Sequence, residues 1–134
     1  MTRVENPFQL LYVSRLAAAC TWEVVKEIVA AARQNNPVHG VTGALLFDGE
    51  RFCELIEGDE PDVRSRMDHI AQDPRHTDVR LLFTGRSPSG PYTQRWVSGY
   101  CDAHELDVFD TAPGPGEGIA LDWFVSVLQV ADVE

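Results

Sequence analysis

The chain has 134 residues, 44% of them apolar and 24% charged, enough for one domain with a real core. Its 21 acidic side chains outnumber 11 basic ones, and the net charge of −10 excludes nucleic acid and anionic membrane surfaces as partners, since both demand a basic footprint. Residues 1–6 lack the apolar stretch of a secretory signal and no apolar run is long enough to span a bilayer, so the expectation is a cytoplasmic protein. Three widely spaced cysteines, Cys20, Cys53 and Cys101, form neither a metal knuckle nor a disulfide framework.

Residues 8–13 are short and rich in strand formers, which predicts a buried central strand. Thr21 can cap a helix with Glu23 in its first turn, and Val25, Ile28, Val29 and Ala32 make its apolar stripe. Asn35, Asn36 and Pro37 end it, because the residue before proline avoids helical geometry. Residues 40–47 and 51–56 flank Asp48-Gly49, a turn pair that signals a hairpin. Gly58 closes the second strand. Asp59 then reads as an N-cap and Pro61 suits the first turn of a second helix, with Val63, Met67 and Ile70 on one stripe. Asp73-Pro74 stops it. Residues 79–83 and 95–101 are the next strands, separated by a loop with Pro88, Gly90 and Pro91.

The order β-α-β-β-α-β with a fifth strand predicts an α+β, ferredoxin-like domain with both helices on one sheet face. Pro113-Gly114-Pro115-Gly116 is a linker or loop. Residues 119–130 form a helix that is apolar almost all round, with Asp122, Ser126 and Gln129 as its one polar line. Such a face must be covered, by the open side of the sheet or by an interface.

The polar residues that could carry chemistry lie at the ends of these elements: Tyr12 and Ser14 at the end of the first strand, Asn35 and Asn36 at the end of the first helix, and His69, Asp73, Arg75 and His76 at the end of the second. Singly, each has a structural explanation as a helix stop, a turn or a surface residue. Glu54 alternates with Cys53 and Leu55. Facing the helices it is a buried carboxylate that needs a partner or a raised pKa; facing outward it is ordinary. Glu54 and Glu57 do not make an acid–base pair, since residues three apart on a strand point to opposite faces. No phosphate loop, nucleophile elbow or metal motif is present.

Read with their flanks, these residues resemble the BLUF family of blue-light sensors that use FAD. The resemblance rests on Tyr12-Val13-Ser14, Ala32-Arg33-Gln34-Asn35-Asn36, Val41-Thr42-Gly43-Ala44-Leu45-Leu46-Phe47, Phe52-Cys53-Glu54-Leu55-Ile56-Glu57-Gly58 and Ile70-Ala71-Gln72-Asp73-Pro74-Arg75-His76, in the family's order and spacing. It implies a flavin ring held noncovalently between the two helices. Tyr12 matches the photochemical tyrosine, Asn36 the asparagine bonded to the ring and Asn35 its polar neighbour. His69, Asp73, Arg75 and His76 fall near the ring edge and the dinucleotide, with Arg75 offering a fork suited to phosphate. Val25, Ile28, Met67 and Ile70 are offered as apolar walls. Trp96 matches the family's tryptophan, placed either in the core or near the flavin.

This chain departs from the pattern at Glu54 and in the fifth strand, where the residues before Trp96 match weakly and the preceding loop is one residue longer. The family's central glutamine falls on Glu54, and an ionised carboxylate only accepts hydrogen bonds where an amide both donates and accepts. Ser98 stands where a methionine usually sits. The resemblance implies a flavin-binding domain over residues 7–102 and a C-terminal helical extension over 103–134, acting as a photoreceptor and not an enzyme. With no effector domain expected, the signal would pass to a downstream protein partner or through a homo-oligomer. Two rivals stand beside this reading. One is a degenerate module of the same fold, binding flavin without a normal photocycle or not at all. The other is a small enzyme acting on a phosphoanhydride or acyl phosphate.

Overall fold

The computed structural model describes residues 6–88, 90–114 and 118–134. The chain before Asn6, and Pro115 and Gly116 of the expected linker, lie outside the described residues. The hairpin forms where Asp48-Gly49 predicts it: Asp48 Oδ1 accepts from the N–H groups of Glu50 (3.0 Å) and Arg51 (2.7 Å), and Gly49 takes a φ of +96°. This turn joins β2 (Thr42–Phe47) to β3 (Arg51–Gly58). Around the pair stand β1 (Phe8–Leu16), α1 (Trp22–Asn35), α2 (Glu60–Gln72), β4 (His76–Arg86), β5 (Trp96–Tyr100), α3 (Ile119–Val130) and β6 (Asp132–Val133).

The six strands lie in the order β4-β1-β3-β2-β5-β6. All neighbours are antiparallel except β2 and β5, which run parallel. The ferredoxin-like expectation therefore holds, and several boundaries move. β1 runs on to Leu16 because Ser14 and Arg15 keep pairing with Phe52 and Arg51 on β3. β4 begins at His76 and ends at Arg86, both ends supported by pairing with β1. β2 starts later than expected, after a short 3-10 turn over Pro37–His39 that ends with Gly40 at a φ of +68°. β6 is an addition: it pairs with Gly99 and Tyr100 and gives the sheet a short outer edge.

The pleat divides the side chains between two cores. Phe8, Leu10, Tyr12 and Ile56 meet Val63 and Ile70 of α2. Leu45, Phe47, Phe52 and Trp96 meet Val25, Ile28 and Ala32 of α1 on the same face. The alternate residues, among them Leu11, Val13, Leu46, Cys53, Leu55 and Val97, cluster with Ala120, Leu121 and Phe124 of α3 on the opposite face. Between β5 and α3 the chain is pinned down by arginines. Arg51, 6% exposed, bonds Asp48 (3.0 Å), Asp107 and Asp110 (3.0 Å), and Arg80 donates to the carbonyls of Phe109 and Ala112. That seats Leu106, Phe109 and Ala112 in the α3 core.

Among the described residues no helix is long and apolar enough to cross a membrane, and no three or more metal-ligating side chains gather. Because Phe124 is fully buried against the sheet, Phe124→Ala should cost about 3–5 kcal/mol. The check is a lower urea midpoint with an unchanged slope. A loss below about 1 kcal/mol would contradict a helix that belongs to the core.

Candidate functional site

A cavity of about 430 Å³ opens between α1 and α2, within the range of small-molecule sites. α1 contributes Ile28, Ala31 and Asn35 at helical spacing, followed by Asn36. α2 contributes Asp62, Ser65, Arg66, His69 and Ile70, which share one helix face, and Asp73, Arg75 and His76 close the far end. Asn36 is held by its main chain: its N–H donates to Ala32 (2.9 Å) and its carbonyl accepts from His39 (3.1 Å) and Val41 (2.9 Å). Its side chain is left facing the cleft at 2% exposure.

Asp73 to His76 form a tight turn. The Arg75 main chain donates to Asp73 Oδ1 (3.0 Å), and its Nε and Nη2 reach the same carboxylate at 3.0 and 2.7 Å. The fork expected to be open for phosphate is thus largely taken up by Asp73. Arg75 in turn holds the Asp73 carboxyl below its ordinary value. His76 does not end α2 as the sequence suggests. Its N–H closes the turn on the Asp73 carbonyl (3.1 Å), and it pairs with Leu16 as the first residue of β4. Its Nδ1 lies 2.8 Å from Ser14 Oγ. Burial pulls the imidazole down to about 4, so it is neutral near pH 7.

Beneath the cleft lies a buried chain of hydrogen bonds. Tyr12 pairs directly with Glu54 across β1 and β3, and the strand period places both side chains on the helix face. Tyr12 Oη donates to Glu54 Oε1 at 2.7 Å, and Trp96 Nε1 donates to Glu54 Oε2 at 3.0 Å. Gly43 is the β2 partner of Trp96, so no side chain stands beside the indole there. A β-carbon at Gly43 would come within 1.9 Å of the Leu55 carbonyl oxygen. Tyr12, Glu54 and Trp96 are 1%, 1% and 3% exposed, which makes Trp96 a core residue.

Burial pushes the Glu54 carboxyl above its ordinary range, against the opposing pull of Arg66 and of the two donors. Burial, reinforced by Glu54, raises the Tyr12 phenol well above its own. Glu57 is elsewhere: fully buried, it accepts from Gln9 Nε2 (2.9 Å) and from the main chain of Tyr92 (2.9 Å) and Thr93 (3.0 Å), which moors the loop leading into β5.

The cleft brings together Ile28, Asn35, Asn36, His69, Ile70, Asp73, Arg75 and His76. Val25 is buried below it, and Met67 packs on the Phe8–Tyr12 cluster instead of forming a wall. Among the lining residues that the sequence reading did not single out, Arg66 lies one turn before Ile70 on the same helix face. Among the described residues the buried side-chain groups without a hydrogen-bond partner are Asn36 Nδ2 and Arg66 Nε. Both are donors, and both belong to residues lining this cleft. Ile28 and Ala31 facing Ile70 across the cleft, with partnerless donors on Asn36 and Arg66, fit a flat ring with carbonyl edges, as a flavin has.

The chain matches the family described as BLUF, sensors of blue-light using FAD, over residues 8–96. It is 35% identical over 80 residues to the blue light- and temperature-regulated antirepressor BluF of Escherichia coli (strain K12), covering 60% of this chain and 20% of that one. Of solved structures, it is similar to BlrP1 BLUF at 26% identity with a TM-score of 0.65, covering 92% of this chain and 88% of that one. It shares the fold of BlsA in its ground state at 21% identity with a TM-score of 0.74, covering 94% and 89%. The chain spans a fifth or less of the length of the curated relatives it matches. The matched domain is a sensory module. With the family's pattern running through most of its length and its two helices enclosing the cleft, this chain belongs to the BLUF family of flavin-binding blue-light sensors.

Proposed function

We propose that this chain binds FAD noncovalently in the α1–α2 cleft and answers blue light through the hydrogen bonds around Glu54. The observation that carries the reading is the partnerless, buried Nδ2 of Asn36 in a cleft of small-molecule size. Asn36 and Arg66 would hold the ring's carbonyl edges, Ile28 and Ile70 its faces, and Asn35 and His69, both exposed at the rim, the rest of the cofactor. When bound, the flavin supplies blue-light absorption and an acceptor for one electron. Tyr12 is the donor nearest in chemistry to that task. Its phenol would be the group that yields an electron and a proton, since Tyr12 Oη is already hydrogen-bonded to Glu54 Oε1 at 2.7 Å.

We assign residues 7–102 to the flavin-binding unit and 103–134 to an extension. A downstream protein partner and self-association belong to the proposal. A relative named as a light-regulated antirepressor supports the first. A second reading has one specific observation in its favour. Both Glu54 oxygens accept bonds, and a carboxylate has no N–H to exchange as an amide does. On that reading the cleft binds flavin and stays silent under light.

Absorption spectra with FAD, in the dark and after blue light, separate the two. A bound-flavin spectrum that shifts to the red and relaxes supports the photoreceptor. Bound flavin without a shift supports the silent module, and no bound flavin contradicts both. The same titration with FMN tests the choice of flavin, since a BlrP1 structure is described with FMN and cyclic diGMP.

Asn36→Ala is expected to weaken flavin binding about tenfold. Tyr12→Phe should bind flavin and lose the shift; a Tyr12→Phe variant that keeps a full light response would remove Tyr12 from the account.

A further inference from the structure

The bonds to Glu54 do not by themselves explain why a large indole stays turned inward on β5, whose outer neighbour is the two-residue β6. Arg33, in the last turn of α1, supplies a reason. Its guanidinium carbon sits 5.5 Å from the centroid of the Trp96 ring, and its Nη2 donates to Ser98 Oγ at 2.7 Å. Trp96 and Ser98 are two apart on β5 and so share a face. Ser98 is 5% exposed, and its main chain is fixed in both directions: its N–H donates to the Glu134 carbonyl (3.1 Å) and its carbonyl accepts from the Glu134 N–H (2.9 Å). The indole is thus covered by a cation on one face and tethered through Nε1 to Glu54 at 3.0 Å.

We propose that Arg33 and Ser98 form a latch that holds Trp96 inward and keeps the second oxygen of Glu54 occupied. Arg33 is then a positioning residue for the site, acting through Trp96. The planar fork suits this task, because it can lie over an indole and still direct an N–H at a hydroxyl. The turn of α1 that carries the latch runs directly into Asn35 and Asn36, so a ligand engaging those amides bears on the same stretch of backbone that holds β5. The significance of the latch rests on reading Tyr12, Glu54 and Trp96 as the functional relay. The latch itself is tested without flavin, so the two can fail separately.

The test is acrylamide quenching of Trp96 fluorescence in the full chain carrying Trp22→Phe and Trp123→Phe, which leaves Trp96 as the one tryptophan. Trp96 should be strongly shielded, with blue-shifted emission. Adding Arg33→Ala should raise the quenching constant roughly threefold. Ser98→Ala should raise it less, the two together no more than Arg33→Ala alone, and Arg33→Lys should restore part of the shielding because a cation returns to the ring. A folded Arg33→Ala protein whose Trp96 is as shielded as in the parent would overturn the latch. Should Arg33→Ala fail to fold, an unchanged constant in Ser98→Ala would do the same. Repeating the series with FAD then asks whether the latch affects the light response; a spectral failure there with the quenching result intact would count against the relay and not against the latch.

Discussion

An acidic side chain that is 1% exposed must be neutralised, bonded or both, and much of this domain's architecture answers that constraint at Glu54. Tyr12 and Trp96 each give one donor, so each oxygen accepts a hydrogen bond from the protein. Arg66 opposes the burial from α2. The carboxyl still rises above its ordinary range, which means that burial outweighs the combined help of a cation and two hydrogen bonds. A glutamine here would carry no such tension. The substitution exchanges a neutral donor–acceptor for a group whose bonding capacity depends on its proton.

The sheet register makes this arrangement possible. Tyr12, Glu54, Leu45 and Ser98 form one row across β1, β3, β2 and β5. The pleat turns the row toward the helices and the alternate row toward α3. A one-residue slip of β3 would send Glu54 into the apolar layer beside Leu11 and Phe124, where none of these donors could follow. The α3 layer therefore serves the site indirectly, by making that register the one that buries apolar side chains on both faces. The Glu57 mooring and the Arg33 contact act on the remaining variable, the placement of β5.

Much of this was legible in the chain itself. Asp48-Gly49, Asp73-Pro74 and the apolar stripes of two helices bring out the order of elements, because turn chemistry and helical periodicity are local. The cleft residues were legible through the family's motifs, which name Asn36 and His76 without giving their surroundings. What the sequence hid is tertiary. His76 reads as a helix end because a strand beginning straight after a turn has no local mark, and its pairing partner Leu16 is far away in sequence. Met67 lies on the α2 stripe as expected, yet a stripe is wide enough to face either the cleft or Phe8. Arg66 and Arg33 look like solvated helix residues, and only the fold brings one to the cleft and the other over an indole. β6 is too short for any pattern to declare it.

The central claim is that Glu54 is a buried carboxyl whose burial outweighs its partners. Its proton is therefore held above the ordinary value of 4.5 in the folded chain. For an acid shifted in this direction, the folded state binds the extra proton, so stability falls as pH rises from the ordinary value through the raised one. The most direct measurement is an infrared titration of the protonated carboxyl band in the folded protein, with Glu54→Gln as the blank. The account predicts a band absent from Glu54→Gln that persists above the ordinary carboxylate range. A Glu54 band that disappears at or below that range would show that Tyr12, Trp96 and Arg66 hold a stable carboxylate, and would contradict the claim.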